Sequence, residues 1–248
     1  MIRFLKNLIK NIYRLHPRYF YLALNNNELN SPDKITAKNI FIITSCINTC
    51  DSDRYVNHNL TFTPKDRLAE TLIGLASIHA HYASRYIIFL ESSKLSAEDE
   101  RQIRPLVDEY HNYHKARSIQ IARQHFNKGV PQFTALVKFI EENKGNYRAD
   151  VFHFLGARYM LKGSVANDDT LSGACFLYYP KSKNVSTRYF FIKNSNLSDI
   201  RKPFRYALYC AIMGSSVEDV LYQFFYKPEF IGKLDICGKV NGVEMVHE

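Results

Sequence analysis

The sequence predicts an α/β protein built on a doubly wound, mostly parallel sheet, with a mixed C-terminal extension. Three observations predict it. Residues 39–45 and 86–91 are short apolar runs rich in Ile and Phe, as strands buried on both faces are. Between them Leu68, Leu72, Leu75 and Ile78 recur every three or four residues and share one helical face. Strand-like and helical segments then keep alternating to about residue 155, the signature of repeated βαβ units.

Each element has a local reason. Residues 1–27 carry Arg3, Lys6, Lys10, Arg14 and Arg18 and no Asp or Glu. Within them 2–15 form a basic amphipathic helix, with Phe4, Leu5, Leu8, Ile9, Ile12 and Leu15 on one face. Residues 26–37 read as a linker. After the strand at 39–45, Thr63 is an N-cap, Pro64 suits the first turn and Asp66 completes a capping box. Ser96 opens a second helix, expected to run to about Tyr110. A third strand is expected at 118–122. NKGVPQ starts the next helix, and a fourth strand lies near 150–155. The pattern changes after Leu161: a loop over 163–173, two mixed-sheet strands in ACFLYY and STRYFFI, helices over 198–213 and 216–226, and a last strand in LDICGKV.

At 248 residues the chain buries a sizeable core without disulfides. Its five cysteines (46, 50, 175, 210 and 237) form no CxxC pair and read as reduced thiols of a cytosolic protein. No apolar run is long enough to cross a bilayer, and the N-terminus lacks the unbroken apolar stretch of a signal peptide. The net charge of +9 is accompanied by no nucleic-acid-binding motif, so no nucleic acid is expected as a partner. GxGxxG, Walker, GxSxG and HExxH motifs are all absent, which argues against ordinary dinucleotide, P-loop, serine-hydrolase and zinc-protease chemistry.

The ordered set SCIN, RLAETLIGLASI, IIFLESS, NKGVPQ and FHFLGARYML resembles the nucleotide-sugar half of a GT-A-type glycosyltransferase. It is also similar to small transferase-like proteins of bacterial surface-polysaccharide clusters and large DNA viruses. The resemblance covers residues 39–162 and returns weakly at SSVEDVLYQFF and KLDICGKV. It implies a GT-A-like, Rossmann-type domain over 38–248, divided into a nucleotide-sugar half at 38–162 and an acceptor half at 163–248. It implies a hexosyltransferase-like enzyme that takes a nucleotide-sugar donor and a glycan or lipid-linked acceptor. With the basic helix at 2–15, the expected location is cytoplasmic, peripheral on the inner membrane face. A non-catalytic α/β protein of the same pathway and a basic nucleic-acid-binding module are the alternatives.

One departure concerns the metal. GT-A enzymes hold Mg or Mn with an Asp-x-Asp pair after a central strand, where this chain reads FLGARYML. Asp51-Ser52-Asp53 and Asn167-Asp168-Asp169 are the nearest spellings, so the metal is left unassigned. A metal-independent enzyme neutralises its leaving diphosphate with cations and helix N-termini.

In open parallel sheets ligands bind beyond the carboxyl ends of the strands. Thr44, Ser45, Glu91 and Ser92 lie there and are candidates for the donor, Glu91 for a ribose or base edge. Arg67, in a first helical turn where a cation is unfavourable, Lys128 before a helix, and Arg158 are the candidate phosphate ligands. Glu70 is placed to pair with Arg67. Tyr159 is a candidate for stacking on a base or sugar. Glu218 is the leading candidate base for the acceptor hydroxyl, with Asp168 and Asp169 as competitors.

Overall fold

The computed structural model describes residues 35–49, 62–125, 127, 129–143, 145–164, 166, 170–233, 235–240 and 244–247. The expected helix at 2–15, Asp51, Asp53, Lys128, Asp168 and Asp169 lie outside them.

Strand β1 (Ile35–Ser45) is the centre of the sheet, with β2 (Tyr86–Glu91) on one side and β4 (Tyr147–Gly156) on the other, both parallel to it. Its apolar run is divided between two cores. Ile40 and Ile42 point to one face, Phe41 and Ile43 to the other, and all four are buried. Two-sided burial explains why β1 lacks the polar alternation of a surface strand. β1 starts at Ile35, so residues 35–37 belong to the sheet and not to a linker.

Helix α1 (Pro64–His81) has the capping box expected of it: Asp66 N–H donates to Thr63 Oγ1 at 3.1 Å, and Thr63 N–H to Asp66 Oδ2 at 2.9 Å. Its Leu68, Leu75 and Ile78 pack on the Phe41–Ile43 face. Helix α2 (Ala97–Ile103) is capped by Ser96 but is much shorter than expected. A 3₁₀ turn over Arg104–Leu106, carrying Pro105, closes it, and Glu109–Asn112 forms β3, parallel to β2. The expected strand at 118–122 is instead helix α3 (Arg117–Ala122). The third parallel strand therefore lies nine to ten residues earlier than expected. Parallel pairing with the edge of β2 outweighs the weak propensity of the half-buried Glu-Tyr-His-Asn, because sheet pairing is decided by tertiary context.

Helix α4 (Gly129–Glu142) packs on the Ile40–Ile42 face. β5 (Met160–Leu161) follows β4. β6 (Ala174–Tyr179), β7 (Asn184–Val185) and β8 (Tyr189–Asn196) are the antiparallel strands of the extension. β8 lies antiparallel to β4, so the sheet is continuous across residue 162 in the order β3-β2-β1-β4-β8-β6-β7. Helix α5 (Leu197–Ile212) joins α4 on the same face, followed by α6 (Val217–Val220) and a 3₁₀ turn over Leu221–Phe224. β9 (Glu229–Ile231) pairs parallel with β6. β10 (Ile236–Val240), β11 (Glu244–His247) and β5 make a small second sheet. The fold class is thus a mostly parallel doubly wound α/β sheet with a mixed extension.

Candidate functional site

β2 and β4 lie on opposite sides of β1, so the winding reverses beyond the carboxyl end of β1. Open α/β sheets bind ligands at such a switch point. A cavity of about 320 Å³ lies there. It is lined by Thr44 and Ser45 at the end of β1 and Cys46 just after it, by Arg67 and Thr71 of α1, and by Gly156 at the end of β4 with Ala157, Arg158 and Tyr159 after it. Gly129 and Phe133 of α4, Thr187 and Arg188 before β8, and Val217 and Glu218 of α6 also line it.

Backbone bonds lock these pieces together. Ala157 N–H donates to Thr44 C=O at 3.0 Å, and Gly156 N–H to Arg188 C=O at 2.8 Å. The antiparallel register that sets Tyr189 opposite Leu155 therefore brings Arg188 to the end of β4. Arg188 was not among the expected ligands. Its only trace in the sequence is its place one residue before an apolar strand, and that place says nothing of which strand lies beside it.

Three guanidinium groups, Arg67, Arg158 and Arg188, line this cavity. Arg158 lies 4.8 Å and Arg67 6.0 Å from the centroid of the Phe62 ring, so one buried aromatic side chain gathers both cations. Arg67 Nη1 donates to Cys46 C=O at 3.3 Å, which ties the first turn of α1 to the end of β1. Glu70 pairs with Arg158, Oε2 to Nη1 at 3.5 Å. That pair joins α1 to the end of β4. Arg188 Nη1 donates to the Tyr179 hydroxyl at 3.1 Å and lies 6.0 Å from the Tyr159 ring.

Tyr159 reaches the cavity through a tight turn. One edge of its ring lies against Gly156 and the other against Gly238, where an added Cβ would come within 3.2 Å and 2.5 Å of it. The two glycines hold the ring by its edges in the lining of the cavity. Above the turn, Gly74 of α1 touches its backbone, and a Cβ there would sit 2.7 Å from the Ala157 oxygen and 2.9 Å from the Tyr159 oxygen. Two carbonyls of a hydrogen-bonded turn do not move cheaply. Gly74→Ala is therefore expected to destabilise the fold by about 1–2 kcal/mol despite the better helix propensity of Ala. Denaturant titration checks this, and a variant more stable than the parent would refute it.

Glu218 carries the carboxylate of the described lining. Thr187 Oγ1 donates to its Oε1 at 2.9 Å, and Ser216 Oγ donates to Oε2. The two hydroxyls fix its orientation and leave lone pairs for a further donor.

Glu91 and Ser92 are not in the cavity. Glu91 is fully buried beneath it, and its Oε1 accepts from Ser93 Oγ at 2.6 Å, Ser93 N–H at 2.7 Å and Ile47 N–H at 3.3 Å. Burial raises its pKa while the hydroxyls of Ser93 and Ser45 and the two amides pull it back. Ser92 Oγ donates to Ser45 C=O at 2.8 Å. Both residues hold the loop after β1 onto the end of β2 and support the site from below. A polar residue at the end of an apolar strand marks the site in either case. Whether its side chain turns up to a ligand or down to a neighbouring loop depends on that loop.

Among the described residues no group of three or more His, Cys, Asp or Glu is placed to hold a metal ion. In the described lining Glu218 is already held by two hydroxyls, and that set does not fit a divalent cation. Among the described residues no helix is long and apolar enough to cross a membrane.

Fold and site together define a class: an α/β protein with a cationic crevice at the switch point of its parallel strands. No protein-family model and no curated protein matches the chain. Solved structures do. The WbbM bifunctional glycosyltransferase in its apo form is 12% identical with a TM-score of 0.49, over 83% of this chain and 40% of that one. This chain thus spans about two-fifths of that protein. The galactosyltransferase LgtC with donor and acceptor sugar analogues is 11% identical with a TM-score of 0.44, over 77% of this chain and 72% of that one. The mannosyltransferase Ktr4p from S. cerevisiae is 7% identical with a TM-score of 0.39, over 84% and 70%. Likeness at this level carries no argument about reaction or substrate.

Proposed function

We propose that the chain is a glycosyltransferase that moves a sugar from a nucleotide-sugar donor to a glycan or lipid-linked acceptor. The observation that carries the reading is the convergence of Arg67, Arg158 and Arg188 with Glu218 in one cavity at the carboxyl ends of β1 and β4. Guanidinium groups match phosphate oxygens with paired donors and stay charged at any working pH. The Glu218 carboxylate in the same described lining suits an acceptor hydroxyl and not the phosphates. The motifs that resemble GT-A enzymes supply the same cavity, since SCIN, RLAETLIGLASI, FHFLGARYML and SSVEDVLYQFF all contribute residues to its lining.

In the reaction the bond between the anomeric carbon and the diphosphate oxygen breaks, and the acceptor oxygen bonds to that carbon. The acceptor proton passes to Glu218. The charge that grows on the departing diphosphate meets the three guanidiniums, which are already in place, so little reorganisation is needed as it develops. The acid-free basic segment at the N-terminus supports work at the cytoplasmic face of the inner membrane, where a lipid-linked acceptor is presented.

A thermal-shift screen against UDP-, GDP-, CMP- and dTDP-sugars, with and without manganese, tests the reading. A donor at about a hundred times its dissociation constant adds about 2.7 kcal/mol to the native state. That corresponds to a rise of roughly 5–10 °C in midpoint for a chain of this size. A chain indifferent to every donor and to the bare nucleoside diphosphates would overturn it.

A further inference from the structure

Among the described residues four large hydrophobic side chains are strongly exposed, and three of them, Tyr206, Tyr226 and Phe230, lie on one part of the extension. They stand on or beside one stretch of chain, residues 222–230, which also carries Tyr222 and Phe224. The Tyr206 and Phe224 ring centroids are 5.5 Å apart, and Tyr222 and Phe230 are 5.7 Å apart. Scattered exposed hydrophobics are ordinary, but a contiguous apolar band marks a surface that meets something.

The charges around the band say what it meets. Lys202 is exposed and lies one helical turn before Tyr206 on the same face of α5. Lys227 Nζ stands 5.2 Å from the Tyr226 ring at the tip of the turn between the 3₁₀ segment and β9. The acidic neighbour Glu229 alternates to the opposite side of β9 from Phe230, and its Oε1 accepts from Ser172 N–H at 2.8 Å and Ser172 Oγ at 2.6 Å. The exposed side thus carries Lys202 and Lys227 beside the aromatic rings, with Asp199 and Asp219 as exposed acids near them, on a chain of net charge +9. Tyr rings suit the level of lipid headgroups, and lysines beside them suit anionic lipid.

We propose that this band, with Tyr226 at its tip, docks the protein on an anionic bilayer surface. The surface is additional to the basic segment at 2–15 and does not rest on the transferase reading. Tyr222 lies one turn along from Glu218 of the cavity, so a docked chain would hold its crevice close to the lipid.

The test uses the full chain at low salt with vesicles of equal parts phosphatidylcholine and phosphatidylglycerol. Tyr226→Ser with Phe230→Ser should weaken co-sedimentation about tenfold, since two partly buried aromatic side chains are lost. Both residues are on the surface, and an unchanged thermal midpoint verifies folding. Because the chain has no Trp, Tyr226→Trp supplies a second readout. Its emission should shift to the blue with anionic vesicles and stay put with pure phosphatidylcholine. Parental binding in the double variant, or no blue shift from the Trp variant while the protein is bound, overturns the proposal. So does a self-associated chain that the double variant turns into monomers without loss of vesicle binding, because the band would then be a contact between copies.

Discussion

Glu218→Gln is expected to leave donor binding intact and to cut turnover about a hundredfold, the usual loss when a general base is removed. Gln has the shape of Glu without its basicity. The amide oxygen still accepts from Thr187 Oγ1 or Ser216 Oγ, so the position of the side chain is nearly kept. Arg158→Ala should act differently. It removes one of the three guanidiniums and leaves Glu70 without that partner, so the donor dissociation constant should rise about tenfold or more. Calorimetric donor titration and initial-rate kinetics on both variants separate the two roles. Normal turnover in Glu218→Gln would remove it from the mechanism and pass the role to Asp168 or Asp169. Unchanged donor affinity in Arg158→Ala would end the diphosphate reading of the crevice.

Stability is expected to fall as the medium is acidified from about pH 6.5 towards pH 3, and His153 is the reason. It lies on β4 with no exposure, stacked on Phe41 with ring centroids 4.0 Å apart. Its Nε2 is 3.0 Å from Asn39 Oδ1 and its Nδ1 is 2.8 Å from the Tyr189 hydroxyl. A neutral ring satisfies both contacts, Nε2–H donating to Asn39 and Nδ1 accepting from Tyr189. A second proton would displace the Tyr189 donor and place a charge in an apolar core. Burial, and to a lesser extent the Lys193 ammonium, push the imidazole down to about 3. The unfolded ring titrates near 6.5, so below that pH the unfolded chain takes up a proton that the native chain refuses. The contribution is fully present above pH 6.5 and is lost across the window down to pH 3, a few kcal/mol in all. Glu91 acts in the opposite sense. Its raised pKa costs stability when it ionises, so acidification relieves that cost. Urea titrations at stepped pH, with His153→Gln as the non-titrating control, isolate the histidine. A parent and control with the same pH slope between 6.5 and 4 would refute the assignment.

The sequence by itself determined the α/β class, because a strand buried on both faces must read as an unbroken apolar run, and Phe41 and Ile42 serve opposite cores. It also determined the start of α1, since Thr63, Pro64 and Asp66 make a local bond pattern that needs no distant partner. Arg67, Arg158 and Glu218 were legible as candidates because each stands beside an element end, where chain order alone places it near a strand terminus. Only the tertiary structure decided what depended on neighbours. Glu-Tyr-His-Asn became β3 because an open edge of β2 lay beside it, while the β-branched stretch at 118–122 stayed helical. Arg188 entered the crevice because β8 chose β4 as its antiparallel neighbour, a pairing written in no short run of residues. Glu91 left it because Ser93 and Ile47 offered donors below the strand end. Periodicity and capping are interactions over four residues or fewer and so survive in the linear text. Strand neighbours and side-chain partners are contacts over tens of residues, settled by which arrangement buries the most apolar surface and leaves the fewest polar groups unpaired.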